Sequence, residues 1–228
     1  MTEDSPSTRP ETNGEESDAE TRPRLTARGL ATRNKLIAGA KEAFASRGYE
    51  MTRISDIAEA AGVSLGNVYR HFTDKDDVLL AVLRPLYSEL REATGRGAGR
   101  QPVTNVDVLT ERNRLYLDFY AAHRDLFRVS REAAGSSSSE TFQAMWMDMR
   151  NAFLARNRGW LESLIRSGQL SEDTDAEMMA AALGSMNEQF AYTHIALAEE
   201  TPDADTVARM ARTCAVIWWR AIFCQDIP

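Results

Sequence analysis

The sequence predicts an all-α protein, with a small three-helix head at residues 26–75 and a larger helical body at residues 76–228. Three observations support this prediction. The segment from Ile54 to Lys75 has the pattern of a helix-turn-helix: a helix, a tight turn and a second short helix. Apolar residues elsewhere recur every three to four positions, which is the spacing of one helix face. No stretch sustains the alternation of apolar and polar residues that a half-buried strand requires.

The head begins with a predicted helix from Thr26 or Ala31 to Arg47, which Gly48 ends. Thr52 is the expected N-cap of the second helix, since its oxygen can accept from a free backbone N–H. Gly62 lies where the chain must turn, and glycine tolerates positive φ. The buried positions of these two helices are Leu36, Ile37, Ala40, Ala43, Phe44, Ile54, Ile57, Ala58 and Ala61.

The third helix is predicted to run from a Ser64 cap to Phe72, with Val68 and Phe72 facing the core. Its other face carries groups that suit duplex DNA. Asn67 can read a base edge, and Tyr69 can donate to a phosphate, which fixes register without specifying sequence. A similar turn also occurs in helical hairpins that never touch nucleic acid, and this alternative remains open on the turn pattern alone.

Charge is distributed unevenly along the chain. The net charge of −7 taken alone argues against a nucleic-acid partner. Residues 1–21, however, hold seven acidic residues and one arginine, whereas residues 22–53 hold eight basic residues and two acidic ones. We therefore interpret residues 1–25 as a disordered acidic tail and expect a basic surface beside the helix-turn-helix. The other interpretation of the basic segment is a solvated helix face.

The body is predicted to consist of helices throughout. Asp74 caps a helix that runs into the nineties and contains Pro85, which is expected to kink it. Residues 94–102 interrupt the helical pattern. Two further helices are expected over 105–122 and 124–133, and a long helix is expected from a Ser139 cap through Gly168. The next helix is expected to start within 171–175 and to end at residue 199 or 200. The last is expected to run from Thr201-Pro202 to about Cys224.

The composition contains no mark of an enzyme, a cofactor or a membrane protein. There is no paired-histidine metal motif, no glycine-rich phosphate loop and no nucleophile elbow, so we expect no enzyme, no cofactor and no metal. No run of eighteen apolar residues predicts a membrane span, and we expect a cytoplasmic protein with no membrane partner. Cys214 and Cys224 lie ten positions apart in a predicted helix, too far apart to bridge each other, so we expect buried free thiols, with a link between subunits as the alternative.

The body carries methionines and aromatic residues that suit an adaptable cavity. Simple core packing is the other interpretation of each residue, and it is the default at helical spacing. If the body encloses a cavity, these residues predict an apolar or aromatic ligand with few polar anchors. The candidate ligand-binding residues are Phe119, Phe127, Phe142, Met145, Trp146, Met149, Phe153, Met186 and Phe190, with Leu115, Tyr120 and Met178 nearby and Asn187, Gln189, Tyr192, His123 and Arg150 as possible anchors.

The segment from about Arg33 to Leu80 resembles the N-terminal domain of the TetR family of transcriptional regulators. Two positions depart from the commonest pattern: Leu65 stands where a lysine or polar residue is frequent, and Asn67 where a small residue or threonine is frequent. The residues that carry the resemblance are Ala43, Phe44, Gly48, Tyr49, Thr52, Ile54, Ile57, Ala58, Ala61, Gly62, Val63, Ser64, Gly66, Tyr69, His71, Phe72, Lys75 and Leu79.

The resemblance implies an all-helical homodimer, in which each head binds DNA and each body binds a small molecule and the partner subunit. We therefore expect a repressor that a small apolar effector releases from a palindromic double-stranded operator. A helical ligand-binding protein without DNA binding is the alternative. The candidate DNA-binding residues are Arg33, Thr52, Ser64, Leu65, Gly66, Asn67, Tyr69, Arg70, His71 and Lys75.

Overall fold

The computed structural model describes residues 26–95 and 102–224, and every regular element in these ranges is helical. This confirms the all-α prediction. The acidic tail predicted for residues 1–25 and most of the predicted break at 94–102 lie outside the described residues. No described helix is long and apolar enough to cross a membrane. The elements in chain order are α1 (Ala27–Met51), α2 (Ile54–Ala60), α3 (Leu65–Tyr69), α4 (Lys75–Gly95), α5 (Val106–Ala122), α6 (Arg124–Ser136), α7 (Glu140–Arg166), α8 (Ala176–Ala191), a π-helical turn (Tyr192–Ala196) and α9 (Ala204–Phe223).

The first three helices pack tightly around a small core. Leu36 and Phe44 of α1, Ile57 of α2 and Val68 of α3 are fully buried, as their apolar spacing predicts. The approach of α1 to α2 depends on Gly39, since a Cβ there would lie 2.6 Å from the backbone nitrogen of Ala61. The three helices therefore form one unit whose apolar faces point inward.

Two head boundaries differ from the sequence prediction. Gly48 interrupts α1 with φ 75° and ψ 175°, as expected of a glycine that ends a helix, but a further turn carries α1 on to Met51. The prediction that Thr52 caps α2 is wrong. Arg53 holds the N-cap position, and Thr52 lies one residue earlier with its side chain buried.

The core of the head continues into the body through α4. Asp74 caps this helix, since its carboxylate accepts from the backbone N–H of Asp77 at 2.8 Å. Val78, Leu79, Val82 and Leu83 are buried in a hydrophobic cluster that also includes residues of α1, α5 and α6. Pro85 is exposed and lies within the helix, which continues through it from Lys75 to Gly95. Head and body therefore share one continuous core.

The remaining helices form the body. α5 packs along α9, α7 along α8, and α6 against α1. Ser139 caps α7 as predicted, and Asp175, the last residue of the segment predicted to start the next helix, caps α8. Each side chain accepts from a backbone N–H three residues on. A second hydrophobic cluster joins the C-terminal parts of α7 and α9 to α8.

The end of α8 and the start of α9 differ from the prediction. Regular α-helix stops at Ala191 and continues as the π-helical turn, which buries Ile195 and Ala196 instead of running on to residue 199 or 200. The expected start of α9 at Thr201-Pro202 is also wrong, because the carboxylate of Asp203 caps the helix by accepting from the backbone N–H of Thr206 at 2.7 Å.

Candidate nucleic-acid interface and internal cavity

The outward side of α3 forms a short exposed surface. Val68 anchors the helix with a fully buried side chain, and Phe72 follows it into the core at 3% exposure. On the opposite side Leu65 is 46% exposed and Tyr69 is 57% exposed. Because apolar anchors hold the inner face, the outer face is available to a partner.

Gly66 lies on the same surface, where an added Cβ would meet no neighbouring atom within 4 Å. Ser64 and Arg70 are exposed, and Asn67 and His71 are half-buried. Regular helix ends at Tyr69, shorter than predicted, although the backbone N–H groups of His71 and Phe72 still donate to the Val68 carbonyl. The exposed surface thus gathers one residue that can read a base edge, Asn67, and several that can donate to phosphates.

Two candidate DNA-binding residues are engaged inside the protein instead. The Thr52 side chain is 1% exposed, and its hydroxyl donates to the Gly48 carbonyl at 2.6 Å. Lys75 is half-buried, and its ammonium group donates to the Tyr49 carbonyl at 2.9 Å and lies 4.0 Å from the Tyr49 ring centroid. Burial lowers the pKa of Lys75. Both side chains are therefore engaged in hydrogen bonds within the head.

Arg33 and His71 lie beside the exposed surface rather than on it. The Arg33 guanidinium carbon lies 5.1 Å from the centroid of the Phe72 ring, which holds this part of α1 against the end of the helix-turn-helix. His71 has a buried Nδ1 with no hydrogen-bond partner in the described part of the chain. Arg33 therefore supplies a positive charge next to α3.

A set of hydrogen bonds joins the head to α6 and α4. The backbone N–H of Tyr49 donates to the Glu132 carboxylate at 3.1 Å. The Tyr49 hydroxyl donates to Asp76, and Ser137 donates to the other oxygen of the same carboxylate at 2.7 Å. Burial and then the hydrogen bond to Asp76 raise the pKa of Tyr49, so the hydroxyl remains a donor. The end of α1 is thereby tied to both helices.

A cavity of about 390 Å³ that is partly open to solvent lies among α4, α5, α6, α7 and α8. Five of the nine predicted ligand-binding residues line it: Phe127, Met145, Trp146, Met149 and Phe153. Arg150, predicted as a polar anchor, also lines it. The spacing of Met145, Met149 and Phe153 on one face of α7 is the sequence signal that identifies this wall.

The other four predicted ligand-binding residues do not line this cavity. Phe142 is fully buried in the main core, and Met186 packs against the second hydrophobic cluster. Phe119 packs against His123, with ring centroids 4.4 Å apart, and Phe190 packs against His194 at 4.6 Å. Helical spacing places each of them on an inward face but cannot distinguish cavity from core.

Three tyrosines outside the set of nine candidates line the cavity: Tyr87, Tyr116 and Tyr120. Of these, the sequence pattern singles out only Tyr120, as a nearby candidate. Burial raises the pKa of Tyr87 to about 12, and burial followed by the nearby Tyr120 raises the pKa of Tyr116. All three hydroxyls are therefore neutral donors at physiological pH. The sequence shows that these residues are aromatic. It does not show that they line one wall, because Tyr87 lies on α4 whereas Tyr116 and Tyr120 lie on α5.

Charged residues also line the cavity, contrary to the expectation of few polar anchors. Five are arginines, and two are acidic: Arg84, Arg91, Arg131, Arg150, Arg156, Asp148 and Glu188. The Glu188 carboxylate lies 3.3 Å from Arg131 and 3.6 Å from Arg150, so these three charges form one ion-pair cluster. In the sequence these arginines are indistinguishable from those of a solvated helix face.

The last two long helices meet through a buried chain of polar side chains. The Asn187 amide donates to Asn113, and the Trp218 indole N–H donates to Asn187 at 3.2 Å. Asn187, expected as a ligand anchor, is therefore occupied by internal hydrogen bonds. Outward from this layer, Met178 is 64% exposed on α8 and Ile217 is 44% exposed on α9.

Two family models match the chain. Residues 36–82 match the model for bacterial regulatory proteins of the tetR family. Residues 110–224, about half of the chain, match the model for the C-terminal domain of the transcriptional regulator EthR. The first match covers the helix-turn-helix, and the second covers most of the helices around the cavity.

Individual relatives agree with these matches. The chain is similar to the transcriptional repressor KstR2 of Rhodococcus jostii, with 28% identity over 150 residues that cover 64% of this chain and 71% of the relative. It is 32% identical over 156 residues to the transcriptional regulator CymR of Pseudomonas putida, covering 66% and 72%. Among solved structures, the regulator FadR of Bacillus subtilis in complex with stearoyl-CoA shares the fold, with a TM-score of 0.66, 18% identity, and coverage of 81% of this chain and 96% of that one.

Proposed function

The chain belongs to the TetR family of DNA-binding transcriptional regulators, and from this premise we propose that it is a homodimeric repressor released from a palindromic operator by a small effector. Residues 26–75 form the DNA-binding unit in this proposal, and residues 76–228 the unit for effector binding and dimerisation. Such a repressor acts in the cytoplasm, where bacterial DNA lies. The observation that carries the proposal is the exposed surface of α3 above its buried Val68 anchor.

In this proposal α3 enters the major groove, and its residues divide into two roles. Asn67 reads a base edge, and Leu65 contributes an apolar contact to a base. Tyr69 and Arg70 bind phosphates, and Gly66 lets the backbone approach the duplex closely. Ser64 and His71 supply further phosphate donors, and Arg33 adds positive charge beside them. Thr52 and Lys75 are omitted, since both are engaged within the head.

The effector occupies the internal cavity. Aromatic rings and methionines line its walls, as expected for a site that takes a largely apolar small molecule. The FadR structure was solved with a small-molecule ligand, which supports a small-molecule effector for a protein of this fold. Binding would favour one of two separations of the heads in the dimer, with α4 and α6 connecting the cavity to the head.

The test is fluorescence anisotropy with labelled duplexes from the DNA flanking the gene of this protein. Tyr69→Ala should weaken binding to every duplex by about tenfold and reduce the salt dependence, because it removes a phosphate contact. Asn67→Ala should instead relax the preference at particular base pairs, at a cost of roughly 1–3 kcal/mol for the preferred base.

Arg166→Ala is the matched control. This arginine lies on α7 with 69% of its side chain exposed, and its ion pair with Glu162 is long at 4.0 Å. Its removal should leave DNA affinity unchanged. If Tyr69→Ala and Asn67→Ala bind like the unmodified protein, α3 is not the groove-binding helix. If the unmodified protein binds no duplex even at low salt, the chain acts as a ligand-binding protein without DNA binding.

A further inference from the structure

The cavity opens between α4 and α7 at a charged rim. Arg84 and Arg91 lie on one face of α4, and Asp148 and Arg156 lie on one face of α7. All four are exposed to solvent at the edge of the cavity. The rim therefore presents three guanidinium groups and one carboxylate, although the chain as a whole is acidic with a net charge of −7.

Arg156 differs from the other arginines of α7. Arg150 pairs with Glu188 at 3.6 Å, Arg158 with Glu162 at 3.4 Å, and Arg166 also reaches Glu162. Arg156 has no ion pair with any carboxylate in the described ranges, and its guanidinium lies 5.2 Å from the Phe153 ring centroid. The Arg156 guanidinium therefore carries a positive charge that no described carboxylate pairs with, and an anion would neutralise it.

Arg91 belongs to the same end of the rim. Gly95 follows Arg91 by one helical turn on α4, and a Cβ placed on Gly95 would lie 3.6 Å from Nη1 of Arg156. α4 and α7 therefore approach closely at this end, which brings the two arginines to one side of the opening. Arg91 likewise forms no ion pair within residues 26–95 and 102–224.

The interior of the cavity offers a different chemistry. Tyr116 and Tyr120 are 7% and 3% exposed, and their hydroxyls have no hydrogen-bond partner among the described residues. Phe127 stacks on Tyr120 with ring centroids 4.2 Å apart, and Phe153 lies 5.4 Å from Tyr116. This interior suits an apolar body that carries an oxygen for the tyrosine hydroxyls.

We propose that the effector is an amphipathic organic anion, whose apolar body fills the aromatic interior and whose anionic group binds Arg91 and Arg156 at the rim. This rests on the proposed function only in taking the cavity as the effector site. It replaces the small apolar effector with few polar anchors that is expected from the sequence. Guanidinium groups bind carboxylate, sulfonate and phosphate oxygens by charge-assisted hydrogen bonds, so the anionic group can be any of these.

The test compares two fluorescent dyes that differ in one charged group. 8-Anilinonaphthalene-1-sulfonate has an aromatic body and a sulfonate, and N-phenyl-1-naphthylamine has the same rings without the sulfonate. Each is titrated into the full-length protein at low ionic strength, without DNA, to give affinity and stoichiometry. The unmodified protein should bind the sulfonate at one site per chain and about tenfold more tightly than the neutral dye.

Arg156→Gln and Arg91→Gln should each weaken sulfonate binding by several-fold to tenfold and leave neutral-dye binding unchanged. Arg158→Gln is the matched control, because this arginine lies on the same helix and does not line the cavity. It should change neither affinity. Thermal unfolding should show that each variant retains the fold, because these arginines lie on the protein surface.

Equal affinity of the unmodified protein for the two dyes would overturn the inference, as would an equal loss of sulfonate binding in the Arg158→Gln variant. Neither result would affect the operator-binding measurements, which use no dye. Conversely, absence of operator binding would refute the proposed repressor and leave the dye affinities as they are. The two failures are therefore distinguishable.

Discussion

The buried Thr52 side chain forms hydrogen bonds with carbonyl groups near the end of α1. Its hydroxyl lies within hydrogen-bond distance of two carbonyl oxygens, 2.6 Å from Gly48 and 3.2 Å from Ala43. The side chain is 1% exposed, so water cannot replace this donor. Thr52 therefore stabilises the head. Its hydroxyl would have to be exposed to bind a phosphate.

Thr52→Val should therefore destabilise the protein by about 1–2 kcal/mol, because the buried carbonyls lose their donor while the side-chain volume is kept. Urea unfolding measures this change. Thr52→Ser, which keeps the hydroxyl, should recover much of the loss. DNA affinity per folded molecule should remain unchanged in both variants, and a large loss of affinity with unchanged stability would show that Thr52 contacts the duplex after all.

Two features disfavour a side chain at position 48: the backbone conformation of Gly48 and a close neighbouring group. Its φ of +75° is rare for residues with a Cβ, and that Cβ would lie 3.0 Å from the Glu132 carboxylate. Gly48→Ala should cost roughly 1–3 kcal/mol in unfolding free energy, since it adds backbone strain and displaces Glu132. Gly62→Ala is the control, because its φ of +64° is also positive but its Cβ would meet open space. Equal thermal destabilisation of the two variants would contradict the role of Glu132.

At the scale of elements, α6 touches both the cavity and the head. Phe127, Ser130 and Arg131 line the cavity. Glu132 accepts from the Tyr49 backbone, and the Arg128 guanidinium donates to the Ala45 carbonyl at 3.3 Å. A rigid helix with both sets of contacts can transmit a displacement from the cavity wall to the end of α1.

Glu132→Ala should loosen the junction between α6 and α1, because the Tyr49 N–H loses its acceptor at a cost of about 1 kcal/mol. Amide hydrogen exchange at Tyr49 and the residues beside it should become faster, and exchange in the core of α7 should not change. Glu132→Gln retains an acceptor oxygen and should exchange at nearly the original rate. Unchanged protection of Tyr49 in Glu132→Ala would mean that this bond does not hold the junction together.

At the scale of the whole molecule, the proposed dimer depends on the outer faces of α8 and α9. Their inner faces are held by the Asn113, Asn187 and Trp218 hydrogen bonds. Exposed apolar residues such as Met178 and Ile217 then remain on the outside. In the proposal they pair with the same faces of a second subunit across a two-fold axis, which also fits a palindromic operator.

Ile217→Glu should convert the dimer to a monomer at micromolar concentration, since it places a charge in the apolar interface. Sedimentation velocity measures the change, and operator affinity should fall by more than tenfold when the two heads are no longer joined. Leu197→Glu is the control, because Leu197 is similarly exposed at 54% but lies outside both helices. A dimer that survives Ile217→Glu would place the interface elsewhere.

Much of this architecture is encoded locally. The spacing of apolar residues in α1 and α7, the caps at Ser139 and Asp175, and the turn at Gly62 each depend on a few neighbouring residues. Because helix periodicity and capping act over one or two turns, the sequence by itself determined the all-helical fold, the helix-turn-helix and the long aromatic helix beside the cavity.

The tertiary structure alone decided which side chains remain available for binding. Thr52 and Lys75 carry suitable groups, yet contacts with α1 occupy both of them. The tyrosines and arginines of the cavity come from α4 to α7, and Glu188 from α8, so their common site depends on how distant segments pack. Burial and charge pairing arise from such long-range contacts, and no local pattern distinguishes an arginine at a cavity rim from one on a solvated helix face.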